Sequence, residues 1–478
     1  MKLWVMLLPF TLKAQETPVI KPNLRNELMR LDSIPGLSGA TISWCFRDME
    51  TGKIFEARDP KKLMIPASTI KLLTSAAALE ILGSDFQYHT RIFKKGTQKG
   101  NTLFGDVLII GSGDPSLGKN GDKDLEKILK ALRDAGIENI NGKLVIDPWI
   151  FPYNQMVIPR DRVWEDMGNY YGAGVFGLNW KGNSYDVDFI PGSKIGDTLH
   201  VQKFSNDQFE TTIKTSVTIT PDSAVEDIYF FGAPFSKELI ATGRVSLSKK
   251  DLKERSAMPD PPLQFGMELL HFLSENKVNI SGGLQVLKEK TPFQDTANLL
   301  LEILSPPLSE LLPEVNQQSN NLYAETIART AGMYLNSDGS AEDACRKIRR
   351  YLMVKKMVGD TSFIFNDGSG LSRKNIISTS AMTSLLVLSK NMKWFEAFKN
   401  SLSEPEISGT MKNFKKVNGL KGKTGSLGGI KCFAGYIKDN KGKDIAFAIM
   451  INHFISGDSQ IKSQISKIFE AAGQNIFE

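Results

Sequence analysis

The chain has 478 residues, too many for one ordinary core and enough for about two to four domains at roughly 100–200 residues each. A hydrophobic share of 41% and a charged share of 23% describe a folded globular protein and exclude a disordered or collagen-like one. The net charge of +6 comes from 59 basic and 53 acidic residues dispersed along the chain, so no basic patch points to nucleic acid.

Residues 1–14 have the order of a secretion signal: Lys2, an apolar run over 3–12, then Ala14 as a small residue at a cleavage site. Export is therefore expected. No later run approaches the ~20 apolar residues of a membrane span, so no transmembrane anchor is expected. From Pro66 the sequence PASTIKLLTSAAALEILG predicts a largely buried helix over 66–83, with Pro66 at its start and Gly83 as its stop signal. Short alternating runs follow, at 101–110, 142–146, 216–220 and 228–231, punctuated by Gly, Asn, Asp and Pro. They predict a β-rich insertion over 85–290, separately folded and with room for a nested subdomain. Helical spacing returns at 263–276, within the bounds of the insertion, and continues at 309–317, 321–333 and 341–357 in an α-rich body made of 15–84 and 291–478. Strands at 430–438 and 444–452 and a helix at 459–472 close the chain.

Several signals reduce to ordinary structure. GDPSLGKN, from Gly113 to Asn120, imitates a phosphate-binding GxxxxGK loop. It has Asn120 where a magnesium-binding Ser or Thr belongs, and a glycine-rich turn is the better reading. Four scattered histidines offer neither metal spacing nor a Ser-His-Asp triad. Cys45, Cys345 and Cys432 are widely separated and read as buried free thiols. The Lys-rich stretch 412–423 reads as a solvated approach, Lys423 excepted.

Three short motifs carry chemistry: Ser68-Thr69-Ile70-Lys71, Ser319-Asn320-Asn321 and Lys423-Thr424-Gly425. Each alone is weak; their conjunction in this order is specific. Ser68 and Lys71, three apart, share one helical face, so the amine can reach the hydroxyl. In apolar surroundings that lysine is pushed toward the neutral form a base requires. Backbone N–H groups of the helix start offer half an oxyanion hole near Ser68.

With these motifs, and with GSGDPSL, YYGAGVFGLN, NQQSNNLYAE, DGSGLSRKN and GKTGSL, the chain resembles the D-alanyl-D-alanine carboxypeptidase and endopeptidase family, the class C low-molecular-mass penicillin-binding proteins. The resemblance runs from about Ser38 to the end. It implies an α/β (α+β) fold, a transpeptidase-like sheet between helices, with a large insertion between the first and second motifs. It further implies Ser68 as nucleophile, Lys71 as base, Ser319 as proton relay, and Asn321 and Lys423 as positioning groups. Thr424, Gly425 and Ser426 would hold the substrate's terminal carboxylate and backbone, with Ser426 N–H completing the oxyanion hole. Asp166, Tyr171 and Arg373 match family positions that receive the zwitterionic tip of diaminopimelate. The implied partners are peptidoglycan peptides and β-lactams, the implied location periplasmic, and no cofactor or metal is called for. A β-lactamase or esterase, or a non-catalytic β-lactam-sensing wall protein, would use the same parts. Asn320 stands where the family more often has Asp.

Overall fold

The apolar segments Ile430–Lys438 and Asp444–Asn452 pair antiparallel along their whole length and form the middle of a five-stranded sheet. Its strand order is Lys421–Leu427, Ile430–Lys438, Asp444–Asn452, Thr41–Asp48, Ile54–Arg58. The structure, a computed structural model, describes residues 22–204, 211–222, 227–249, 252–290, 298–359 and 363–474. The expected signal at 1–14 lies outside the described residues.

The two central strands are buried on both faces, which is why they read as continuous apolar runs. Their alternation is one of size. Cys432, Ala434, Ala446, Ala448 and Met450 face one side, where small side chains let the helices Lys71–Leu82 and Thr379–Ser389 approach closely. Phe433, Ile437, Phe447, Ile449 and Ile451 face the other and pack on Leu24 and Leu28 of Pro22–Met29 and on Ile461, Ile465 and Ile468 of Asp458–Ala472. The expected sheet between helices is thus present. Lys71–Leu82 is apolar all round because it is enclosed: Leu72, Leu73 and Leu79 are at most 1% exposed, each worth roughly 1.5–3 kcal/mol of burial.

The chain leaves the body after Gly83, whose φ of 85° ends the helix, and returns beside its exit point. Ser305 N donates to Tyr88 O at 3.0 Å and Ser309 N to Ser84 O at 3.0 Å. Between these points lies a second core, around Val107, Ile109, Leu144, Trp180, Phe230 and Phe265. It is built on a seven-stranded sheet that includes His89–Lys99 and Thr102–Ile110, with four- and three-stranded sheets beside it.

Three details depart from the sequence reading. The strand Leu299–Leu304 pairs with His89–Lys99, which carries the inserted sheet past residue 290. Lys123–Asp134 is a helix, with Leu125, Ile128, Leu129 and Leu132 buried on one face, in a region read as β-rich. The helix Pro261–Glu275 likewise lies inside the 85–290 bounds of the region read as β-rich, and packs Phe265, Leu269 and Leu273 into the inserted core. Among the described residues, no helix is long and apolar enough to cross a membrane.

Candidate active site

Ser68 sits in the 3-10 turn Ala67–Ile70, which runs directly into Lys71–Leu82. Two backbones clamp this turn. A Cβ at Gly425 would lie 2.8 Å from Pro66 O and 2.9 Å from Ser68 N, and a Cβ at Gly370 would lie 2.1 Å from Ala67 O. Gly425 was expected to leave room for the substrate backbone; here its missing side chain admits the turn that carries Ser68. Ala67 and Ser319 both hold positive φ, 45° and 58°, costs of about 1–3 kcal/mol each that cluster at functional sites.

Lys71 is fully buried and points its Nζ at three oxygens: Ser68 Oγ at 3.0 Å, Asn321 Oδ1 at 2.7 Å and Ser369 O at 2.5 Å. Burial lowers its pKa to about 7, although Asp367 and Glu325 pull upward. Near neutrality it therefore divides between ammonium and free amine, as a base requires. The Asn321 amide is held from both ends, because its Nδ2 donates to Tyr171 O at 2.8 Å. Lys423, also fully buried, donates to Ser319 Oγ at 2.9 Å and to Thr424 O at 2.8 Å. Burial, reinforced by Lys71, pushes its ammonium well below the usual lysine range. A positive Lys423, as expected from the sequence, therefore needs an anion beside it.

Residues of the first two motifs, and Ser426 directly after the third, meet on a cavity of about 600 Å³. Ser68, Ser319, Asn321 and Ser426 line it, together with Asp166, Tyr171 and Arg373. Thr424 and Ser426 alternate with the buried Lys423 and Gly425 on the edge strand Lys421–Leu427, so both hydroxyls project to one side. Ser426 Oγ accepts from Lys431 Nζ at 2.8 Å. Burial raises the Asp166 carboxyl, against the pull of Arg162 and Arg373 and a hydrogen bond from Tyr171.

A family model described as the D-Ala-D-Ala carboxypeptidase 3 (S13) family matches residues 24–472. The chain belongs to that family. This S13 chain is accordingly a serine hydrolase of the D-Ala-D-Ala carboxypeptidase type. It is 26% identical over 458 residues to the D-alanyl-D-alanine carboxypeptidase of Actinomadura sp. (strain R39), covering 92% of this chain and 83% of that one. It is 24% identical over 443 residues to D-alanyl-D-alanine carboxypeptidase DacB of Haemophilus influenzae, covering 89% and 88%. Its fold matches the crystal structure of penicillin binding protein 4 (dacB) from Haemophilus influenzae with a TM-score of 0.79 at 20% identity, over 95% of this chain and all of that one. A second structure of that protein, complexed with a β-lactam, matches with a TM-score of 0.74 at 22% identity, over 94% and 98%.

The S13 site also contains charges that the motifs did not announce. Arg162 Nη2 lies 3.4 Å from Glu325 Oε1 and 3.7 Å from Asp367 Oδ2, all three side chains buried. Glu325 stands four residues after Asn321 and four before Arg329 on the same helix, so an amide, a carboxylate and a guanidinium share one face. That spacing was the one available signal. Arg162 comes from the insertion, and nothing in its local sequence marks it.

The GDPSLGKN segment is a turn. Asp114 Oδ1 accepts from Ser116 N at 2.8 Å, and Gly118 N donates to Asp124 Oδ2 at 3.0 Å, placing a carboxylate where a phosphate loop would bind its anion. The three cysteines are buried free thiols.

Proposed function

We propose that Ser68 is the nucleophile of a D-alanyl-D-alanine carboxypeptidase and endopeptidase acting on peptidoglycan stem peptides in the periplasm, after export through the 1–14 signal. The supporting observation is the fully buried Lys71 Nζ at 3.0 Å from Ser68 Oγ, beside an open cavity. Neutral Lys71 takes the hydroxyl proton as Ser68 Oγ attacks the carbonyl between two D-alanines. The oxyanion is received by the N–H groups of Ser68 and Ser426. Ser319, hydrogen-bonded to Lys423, relays that proton from Lys71 to the leaving amine, returning Lys71 to the free amine, and water then releases the acyl group. Thr424 and Ser426 bind the terminal carboxylate, which supplies the anion that keeps Lys423 positive. β-Lactams enter the same path and stop at the acyl-enzyme.

Asp166 and Arg373 form the opposite-charge walls for the diaminopimelate tip, with Tyr171 hydrogen-bonded to Asp166. The reading is tested by mass spectrometry of penicillin-labelled protein and by D-alanine release from purified wall peptides. The acyl group should map to Ser68, and Ser68→Ala should abolish both labelling and release while leaving the thermal midpoint nearly unchanged. Labelling of Ser68→Ala at the wild-type rate moves the nucleophile elsewhere. Penicillin or nitrocefin turnover with no D-alanine released would make the protein a β-lactamase.

A further inference from the structure

Behind Lys71 the structure holds more buried charge than the reaction itself uses. Glu325, fully enclosed on the helix Asn321–Met333, receives Ser369 Oγ at 2.6 Å and the backbone N–H groups of Gly368 and Ser369, both at 3.3 Å, besides Arg162 at 3.4 Å. Burial and the nearby Asp367 push the Glu325 carboxyl up, while Arg162 and the Ser369 hydroxyl pull it down, and these four donors favour its ionised form. Asp367 accepts Gly370 N at 2.8 Å, Ser372 N at 2.7 Å and Asn375 Nδ2 at 2.7 Å. The permanent cations here are Arg162 and Arg329, the latter 0% exposed and held by Val157 O at 2.9 Å. Two guanidinium groups and two carboxyl groups are thus enclosed together beside the base.

The geometry runs one step further. The residue whose hydroxyl and N–H are fixed by Glu325 is Ser369, and the Ser369 carbonyl is the oxygen that accepts from Lys71 Nζ at 2.5 Å. One peptide segment therefore links the carboxylate to the base.

We propose that Glu325 is a positioning residue for Lys71: its carboxylate fixes Ser369, and with it the carbonyl that orients the amine toward Ser68, and it balances the charge of Arg162 beside the base. This rests on the reading of Lys71 as acylation base. Glu325 touches no reacting atom and transfers no proton; the proton of Ser68 Oγ goes to Lys71 Nζ. The ionisable groups facing Lys71 are Glu325 from its helix, Asp367 from the following loop, Arg162 from the insertion and Lys423 from the edge strand. Arg329, Glu342 and Cys345 lie behind them.

The sign of the effect is fixed. A carboxylate favours the ammonium, so removing the Glu325 charge eases deprotonation of Lys71. Acylation needs the free amine, so its rate rises with pH through the Lys71 pKa of about 7. The test is the penicillin acylation rate as a function of pH for the full chain and its Glu325→Gln, Glu325→Asp and Ser369→Ala variants, with the acyl group mapped each time.

In Glu325→Gln the acid limb should move to lower pH and the plateau should fall, because a weaker and less well oriented base remains; a 1 Å misplacement costs about 100-fold. Glu325→Asp should return the limb toward the wild-type pH. Ser369→Ala keeps the charge, so its limb should stay while its plateau falls. It decides the matter if Glu325→Gln fails to fold. A folded Glu325→Gln with an unmoved limb, or Ser369→Ala acylated within threefold of wild type, overturns the proposal. An acyl group found away from Ser68 would instead overturn the assignment of the nucleophile.

Discussion

Arg373 lines the cavity together with Asp166, from the same loop that carries Asp367 and Ser369, but unlike those two it is exposed. A solvated guanidinium that closes no buried network has little structural work, so its loss should be felt by substrate more than by the fold. Charge-assisted hydrogen bonds are worth about 1.5–3 kcal/mol, which converts to roughly a tenfold to hundredfold change. Arg373→Ala should therefore lower kcat/KM by that factor on diaminopimelate-containing peptides and leave a diacetylated tripeptide without the zwitterion, and penicillin acylation, almost untouched. Parallel kinetics on the two peptides check this, and equal losses would leave Arg373 a bracing residue of its loop. The same comparison on Asp166→Asn reads the amine side of the clamp.

At the scale of elements, the site depends on how closely the edge strand Lys421–Leu427 lies against the turn that carries Ser68. In Gly425→Ala the new Cβ would meet only backbone atoms, Pro66 O, Ser68 N and Thr69 N, at 2.8–3.0 Å, so no flexible side chain can yield and the strand itself must shift. Penicillin acylation should fall by about 100-fold for a displacement near 1 Å, while Gly39→Ala in the same body, with nothing within 4 Å of its Cβ, should match wild type. Stopped-flow acylation of both variants tests this; a Gly425→Ala enzyme acylated at the normal rate would show that the strand has room. The elements themselves were largely legible. The strands Ile430–Lys438 and Asp444–Asn452 and the helix Asn321–Met333 lie where their apolar spacing puts them, because burial sets that spacing directly. Lys123–Asp134 was missed, its single apolar stripe being embedded among alternating runs, and the helical spacing at 263–276 did not itself say which core Pro261–Glu275 would join. A helix's apolar face says that it is covered, not by which sheet. The motifs could be read because each is contiguous. Arg162, Glu325 and Asp367 could not, because their meaning lies in being buried together from three distant stretches.

Across the whole molecule the insertion and the body depend on each other unequally. The inserted region has its own core, and its two ends meet where Ser305 N donates to Tyr88 O at 3.0 Å, so it has what it needs to fold when expressed alone. The body does not. From the insertion it takes Arg162 against Glu325 and Asp367, Tyr171 O for the Asn321 amide, Val157 O for the Arg329 guanidinium, and the side chains of Phe151 and Val175 against Leu322. Removing one partner of a buried ion pair costs about 3–5 kcal/mol, a large part of a typical domain stability of about 5–15 kcal/mol. If residues 89–304 are excised and Tyr88 is joined to Ser305 through a short linker, the body should unfold at clearly lower denaturant and fail to acylate. The isolated insertion should unfold cooperatively. Denaturant titration of both fragments, with fluorescent penicillin labelling of the body, measures this asymmetry. A body that labels at Ser68 at the wild-type rate would mean that the motifs assemble unaided, and that the insertion serves the substrate and not the base.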